Sequence, residues 1–93
     1  MAHLGIRFNC SDYAAWKQVF DDFAPQRRAA GEIDYQIYHV EGERNHIVMI
    51  QEWNSLDNLR AFLASDTLRE AMEKSGAGEP TIFLMNAGDS GKP

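Results

Sequence analysis

Ninety-three residues suffice for one domain, and a chain this short buries only about 60–65 % of the surface it exposes when unfolded. Apolar residues make up 44 % and charged residues 25 %, which is ordinary globular usage. Fourteen acids against nine bases leave a net charge of −5, with Arg27–Arg28 the only adjacent basic pair; this argues against a nucleic-acid partner, since phosphate binding needs clustered positive charge.

The lone Cys10 cannot close an internal disulfide, and the start Met1-Ala2-His3-Leu4-Gly5 is not a basic segment followed by an apolar run. The longest uninterrupted apolar stretches, Ile47-Val48-Met49-Ile50 among them, are four residues, far too short to span a bilayer. The expectation is a cytoplasmic protein without membrane contact.

The first strand is predicted over His3–Asn9, where Leu4, Ile6 and Phe8 alternate with His3, Gly5 and Arg7 at the strand period of two. Cys10-Ser11-Asp12 ends the alternation and offers Ser11 or Asp12 as a helix cap. Tyr13, Trp16, Val19, Phe20 and Phe23 then form a helical stripe. Pro25 restarts the helix as a short turn over residues 26–30, closed by Gly31.

A second strand follows at Ile33–Val40 and a third at His46–Trp53, joined through the polar, glycine-containing loop 41–45. The third is apolar at consecutive positions, as expected of a central strand. Asn54-Ser55 caps a second helical region carrying Leu56, Leu59, Phe62 and Leu63. Ser65-Asp66 interrupts it, and Leu68, Ala71 and Met72 continue the apolar side to about Lys74. Ser75-Gly76-Ala77-Gly78 ends the helix, Pro80 suits the start of an edge strand, and Thr81–Asn86 is the fourth strand.

This order predicts an α+β, ferredoxin-like βαββαβ domain with a four-stranded antiparallel sheet over residues 1–87, and a flexible polar tail at 88–93. Alternation places Leu4, Ile6, Phe8, Tyr35, Ile37, Val48, Ile50, Ile82 and Leu84 under the helices. The opposite face receives His3, Arg7, Gln36, Tyr38, Ile47, Met49, Gln51, Trp53, Phe83 and Met85. That face is too apolar for water and too polar for a plain core. It predicts a homodimer enclosing a ligand cavity, with Trp16 left as a core residue of the first helix.

Two segments carry a resemblance. Tyr13-x-x-Trp16-Lys17-x-x-Phe20, and Gln51-Glu52-Trp53-Asn54-Ser55-Leu56-Asp57-Asn58-Leu59-Arg60-Ala61-Phe62-Leu63, resemble small proteins of the antibiotic biosynthesis monooxygenase type within the dimeric α+β barrel superfamily. The resemblance spans residues 3–86 and implies a dimeric barrel. It also implies oxidation of a phenolic or quinone-like molecule without cofactor, with Trp53 matching a cavity tryptophan at the end of the third strand. The asparagine and tyrosine that accompany this tryptophan in the family's oxygenases are replaced by Met49 and Leu59. The axial histidine of the superfamily's haem-degrading branch is replaced by Ala64.

The expected site comprises Arg7 as a grip on an anionic or phenolate group, Tyr38 and Trp53 as stacking surfaces, and Gln51 and Met49 beside them. His39 or His3 is the candidate base near neutral pH. The three histidines lack metal-ligand spacing, so no metal is expected, and Cys10 reads as a small buried filler. Glu52 is expected to face the helices. Two further functions stay open: a non-catalytic dimer that binds a small molecule or supports another protein, and an isomerase or cyclase using the same pocket.

Overall fold

The computed structural model covers residues 1–93. β1 (Ala2–Asn9) leads to α1 (Tyr13–Asp22) and α2 (Ala24–Ala30); β2 (Glu32–Val40) and β3 (Glu43–Trp53) form a hairpin; α3 (Leu56–Leu63) and α4 (Asp66–Ser75) precede β4 (Thr81–Met85). The strands form one antiparallel sheet in the order β2-β3-β1-β4. This is the expected ferredoxin-like architecture.

The local signals act where the sequence puts them. Asp12 caps α1 by accepting from the Ala14 amide, while Ser55 and Ser65 cap α3 and α4. Pro25 sits in the first turn of α2, where its missing amide proton costs nothing. Gly31 closes α2 at φ 130°, and a side chain there would also collide with the Asn54 carboxamide. β3 begins three residues earlier than expected because the hairpin turns on Glu41 and Gly42 alone.

The register corrects the predicted faces of β3. Leu4, Ile6 and Phe8 stand opposite Gln51, Met49 and Ile47, and Ala2 opposite Trp53. Directly paired residues share a face. Ile47, Met49, Gln51 and Trp53 therefore lie under the helices, and Val48, Ile50 and Glu52 lie on the open face. The physical reason is that β3 is apolar on both sides, so its own alternation does not distinguish them; only its pairing with β1 does.

β2 carries a second departure. Glu32 pairs with Trp53 but Asp34 pairs with Glu52, so Ile33 is an extra residue, a β-bulge. Were the strand regularly pleated through Ile33, Glu32 would face outward. With the bulge, Glu32 turns under the helices, while Tyr35 and Ile37 keep the face expected of them.

Two buried clusters fill the layer between sheet and helices. One gathers Phe8, Cys10, Trp16, Phe20, Ile47 and Met49. The other gathers Ala2, Leu4, Trp53, Leu59 and Phe62. α1 packs on α4, whereas α3 packs on β1 and β3. The opposite sheet face is bare, with Tyr38, Ile50 and Phe83 41–56 % exposed. No helix is long and apolar enough to cross a membrane.

Candidate functional site

Between the sheet and the helices lies a cavity of about 90 Å³. Its floor is β1 and β3, with Leu4, Ile6, Met49 and Gln51; its roof includes Trp16, Phe20, Phe62 and Met72. Half-exposed Ile82 lies on its rim at the β4 edge. The lining is overwhelmingly apolar. Gln51 and Arg27 are its principal polar members, with the Ser75 hydroxyl committed to the Met72 carbonyl.

Gln51 is 4 % exposed. Its Oε1 accepts from Trp53 Nε1 at 2.9 Å, and its Nε2 has only the Met49 thioether at 3.7 Å. The indole proton therefore settles which end of the amide is oxygen. Trp53 itself is fully buried and stands behind Gln51 rather than on the cavity wall. It packs on Phe62 with ring centroids 4.8 Å apart.

Arg27 is the residue that sequence reasoning missed. It occupies the last turn of α2, where a basic residue ordinarily only complements the helix dipole. Here its side chain runs inward and is 4 % exposed. Nε bonds both carboxylate oxygens of Glu32 at 3.1–3.2 Å, and Nη1 donates to the Phe20 carbonyl. The guanidinium lies 3.5 Å from the Phe20 ring centroid, a cation–π contact. Burial pushes the Glu32 carboxyl up from its ordinary value; the charge and hydrogen bonds of Arg27 pull the other way without prevailing. The bulge at Ile33 is what brings the pair together. The one cue in the sequence was the Arg27/Glu32 spacing across Gly31.

The remaining expected site residues divide as follows. Met49 and Gln51 line the cavity and Trp53 supports it. Arg7, Tyr38 and His3 lie on the open face, pairing across the sheet with Val48 and Glu52, so Arg7 and Trp53 do not share a side. Arg7 Nε donates to His46 Nε2 at 2.8 Å, and His46 in turn faces Glu43. His3 stands 3.9 Å from Glu52, which corrects the inward placement of that glutamate. His39 lies near the hairpin end, with Nδ1 2.7 Å from the Arg44 carbonyl oxygen and its ring edge on Tyr13. Neither candidate base lines the cavity.

The two tryptophans also exchange roles, since Trp16 lines the cavity and Trp53 does not. Cys10 is buried, and burial raises its thiol pKa. No cluster of three or more His, Cys, Asp or Glu side chains is arranged to hold a metal ion.

Comparison with solved structures places this geometry. SnoaB, a cofactor-independent oxygenase from Streptomyces nogalater, superposes with a TM-score of 0.80 at 18 % identity over 96 % of this chain and 94 % of its own. A candidate antibiotic biosynthesis monooxygenase from Caulobacter crescentus CB15 gives 0.73 at 22 % identity, covering 95 % and 90 %. Another from Deinococcus radiodurans gives 0.73 at 17 %, covering 100 % and 98 %. At such identities the likeness establishes the fold, the ferredoxin-like protomer of dimeric α+β barrels. None of the curated proteins matches the sequence. Residues 11–74, from the cap of α1 to the end of α4, match the model of one family, and the chain belongs to that family, the antibiotic biosynthesis monooxygenases.

Proposed function

We propose that the protein oxidises a phenolic, quinone-forming small molecule with molecular oxygen and without a cofactor, in the cavity between sheet and helices. One observation carries the reading: a buried carboxamide, oriented by Trp53, presents an almost unused donor to a cavity that is apolar apart from a few polar groups, Arg27 chief among them. An apolar lining with few oriented polar groups is the usual form of a small-molecule site. SnoaB, similar in fold, is a cofactor-independent oxygenase, which supports the reaction class.

In the proposed reaction the ionised substrate is itself the reductant. A ring methylene and one O2 give a ring carbonyl and one water; both methylene hydrogens leave in the water, and one oxygen atom stays on the substrate. Gln51 would bond the substrate oxygen, and the apolar walls would exclude bulk water. No histidine lines the cavity, so ionisation would rest on the substrate's own acidity beside hydrogen-bond donors.

At 90 Å³ the cavity is below the roughly 150 Å³ that admits benzene. A polycyclic substrate therefore requires a wall to yield. α4 is the wall suited to this, because it packs chiefly on α1 and not on the sheet. Oxygen consumption with a hydroxylated polycyclic phenol, followed electrochemically alongside the rise of quinone absorbance, tests the reading. We expect turnover without added metal or flavin and a change in Trp16 emission on binding; no consumption across a panel of such phenols overturns it. Met49 and Leu59, in place of a polar pair, favour the second reading, in which the same cavity binds a ligand without turnover.

We also propose that the bare sheet faces pair two copies of the chain. Tyr38, Ile50 and Phe83 supply the apolar surface, and Arg7 and His46 the polar part. Light scattering at micromolar concentration should give twice the monomer mass of 10.5 kDa; a clean monomer contradicts the pairing.

A further inference from the structure

We infer that Arg27 makes the cavity selective for ligands carrying a negatively charged oxygen, with Glu32 as its positioning residue; the inference rests on reading the cavity as a ligand site. Three observations support it. Arg27 lines the cavity and is itself buried. Its Nε and Nη1 are occupied by Glu32 and the Phe20 carbonyl, while Nη2 has no hydrogen-bond partner. The other principal polar group, Gln51, also offers a donor, because Trp53 occupies its oxygen.

The two groups thus present hydrogens, and their one acceptor, Gln51 Oε1, already accepts from Trp53. A ligand in this cavity gains by bringing acceptor oxygens, and gains most when an oxygen is ionised. A hydroxyl or amine donor would find on these two groups only the oxygen that Trp53 already engages. Glu32 grips Nε with both oxygens, and the Phe20 ring stacks on the guanidinium. The orientation of Nη2 is therefore fixed before a ligand enters. Glu32 also neutralises part of the charge, so the preference should sit at the low end of the range for a charge-assisted bond.

The test compares 2-naphthoate with 2-naphthamide, which have the same shape and differ in charge, by NMR titration of the full chain near pH 7. The wild type should bind naphthoate about tenfold more tightly. Arg27→Gln should bring that ratio to about one. Because the variant leaves Glu32 without its cation, Gln51→Glu serves as a second test: it sets a carboxylate in the cavity, keeps an acceptor for Trp53 and leaves the Arg27–Glu32 pair untouched. It should bring the ratio to one or below.

A preference that survives in either folded variant overturns the inference. So does equal binding of the two probes, or no binding of either, in the wild type. Naphthoate preference together with no oxygen consumption by phenols would leave Arg27's role standing and sink the oxidation, which separates the two failures.

Discussion

Trp53→Ala should lower the melting temperature by roughly 12 °C or more, and should do so before any question of activity arises. The side chain is fully buried, packs at a tilt on Phe62 and belongs to the cluster that holds Ala2, Leu4 and Leu59 together. Truncating a buried aromatic to alanine costs about 3–5 kcal/mol, and each kcal/mol lowers the midpoint by about 4–8 °C in a domain of this size. The variant also strips Gln51 Oε1 of its donor inside a buried layer, where an unmet acceptor costs about 1–3 kcal/mol. Against a total stability of about 5–15 kcal/mol, the native state is left marginal. Trp53→Phe keeps a ring against Phe62 but removes the indole proton and part of the buried volume, so its midpoint should fall between those of the wild type and Trp53→Ala. Thermal melts by circular dichroism measure both, and a midpoint unchanged in Trp53→Ala would contradict the placement of this residue at the centre of its cluster.

Removing one half of the buried ion pair should be as costly as removing Trp53, whereas removing both halves should be nearly harmless. Arg27→Met leaves Glu32 enclosed without its cation, a change that typically costs about 3–5 kcal/mol. The double variant Arg27→Met, Glu32→Leu replaces the pair by apolar groups and should lie within about 1 kcal/mol of the wild type, since buried pairs often return no more than their desolvation costs.

The pH dependence has a definite sign. The folded-state pKa of Glu32 is raised, with burial the largest cause, so the native state holds this proton more tightly than the unfolded chain does. Its contribution to stability is present below the ordinary glutamate value of 4.5 and is lost as pH rises through the raised value. The penalty of Arg27→Met should accordingly be larger at pH 7 than at pH 4, where the carboxyl can take a proton. Urea unfolding at the two pH values checks this, and a penalty independent of pH would contradict the pairing.

Much of the fold was legible because its signals are local. The alternation of Leu4, Ile6 and Phe8, the caps at Asp12, Ser55 and Ser65, and the terminators Gly31 and Gly76 each act within a few residues and appear in the structure where expected. The site was less legible because it depends on relations between strands. Ile47, Val48, Met49 and Ile50 read equally well in either orientation, and only their pairing with β1 assigns Gln51 and Trp53 to the helix side. Arg7 and Tyr38 looked like site residues because they were grouped with a strand face that belongs on the other side of the sheet. Arg27 went unnoticed for a different reason: its partner Glu32 reaches it through an irregularity that side-chain periodicity does not encode.

That irregularity makes the electrostatics of the cavity a matter of strand pairing as well as composition. Ile33 contributes no atom to the ion pair and is 49 % exposed, yet it supplies the half-step that turns Glu32 inward. Were the same residues regularly pleated from Gly31 into Tyr35, Ile33 would stand opposite Trp53 and Glu32 would take the alternate face. Every side chain of the cavity would still be present, but the carboxylate would point to the opposite side and the buried guanidinium would stand alone. The amino-acid sequence would be the same in both pairings, while the cavities would differ by a full unit of charge. Within this fold, the strand pairing at the start of β2 is therefore as informative about what the cavity accepts as substitutions inside it.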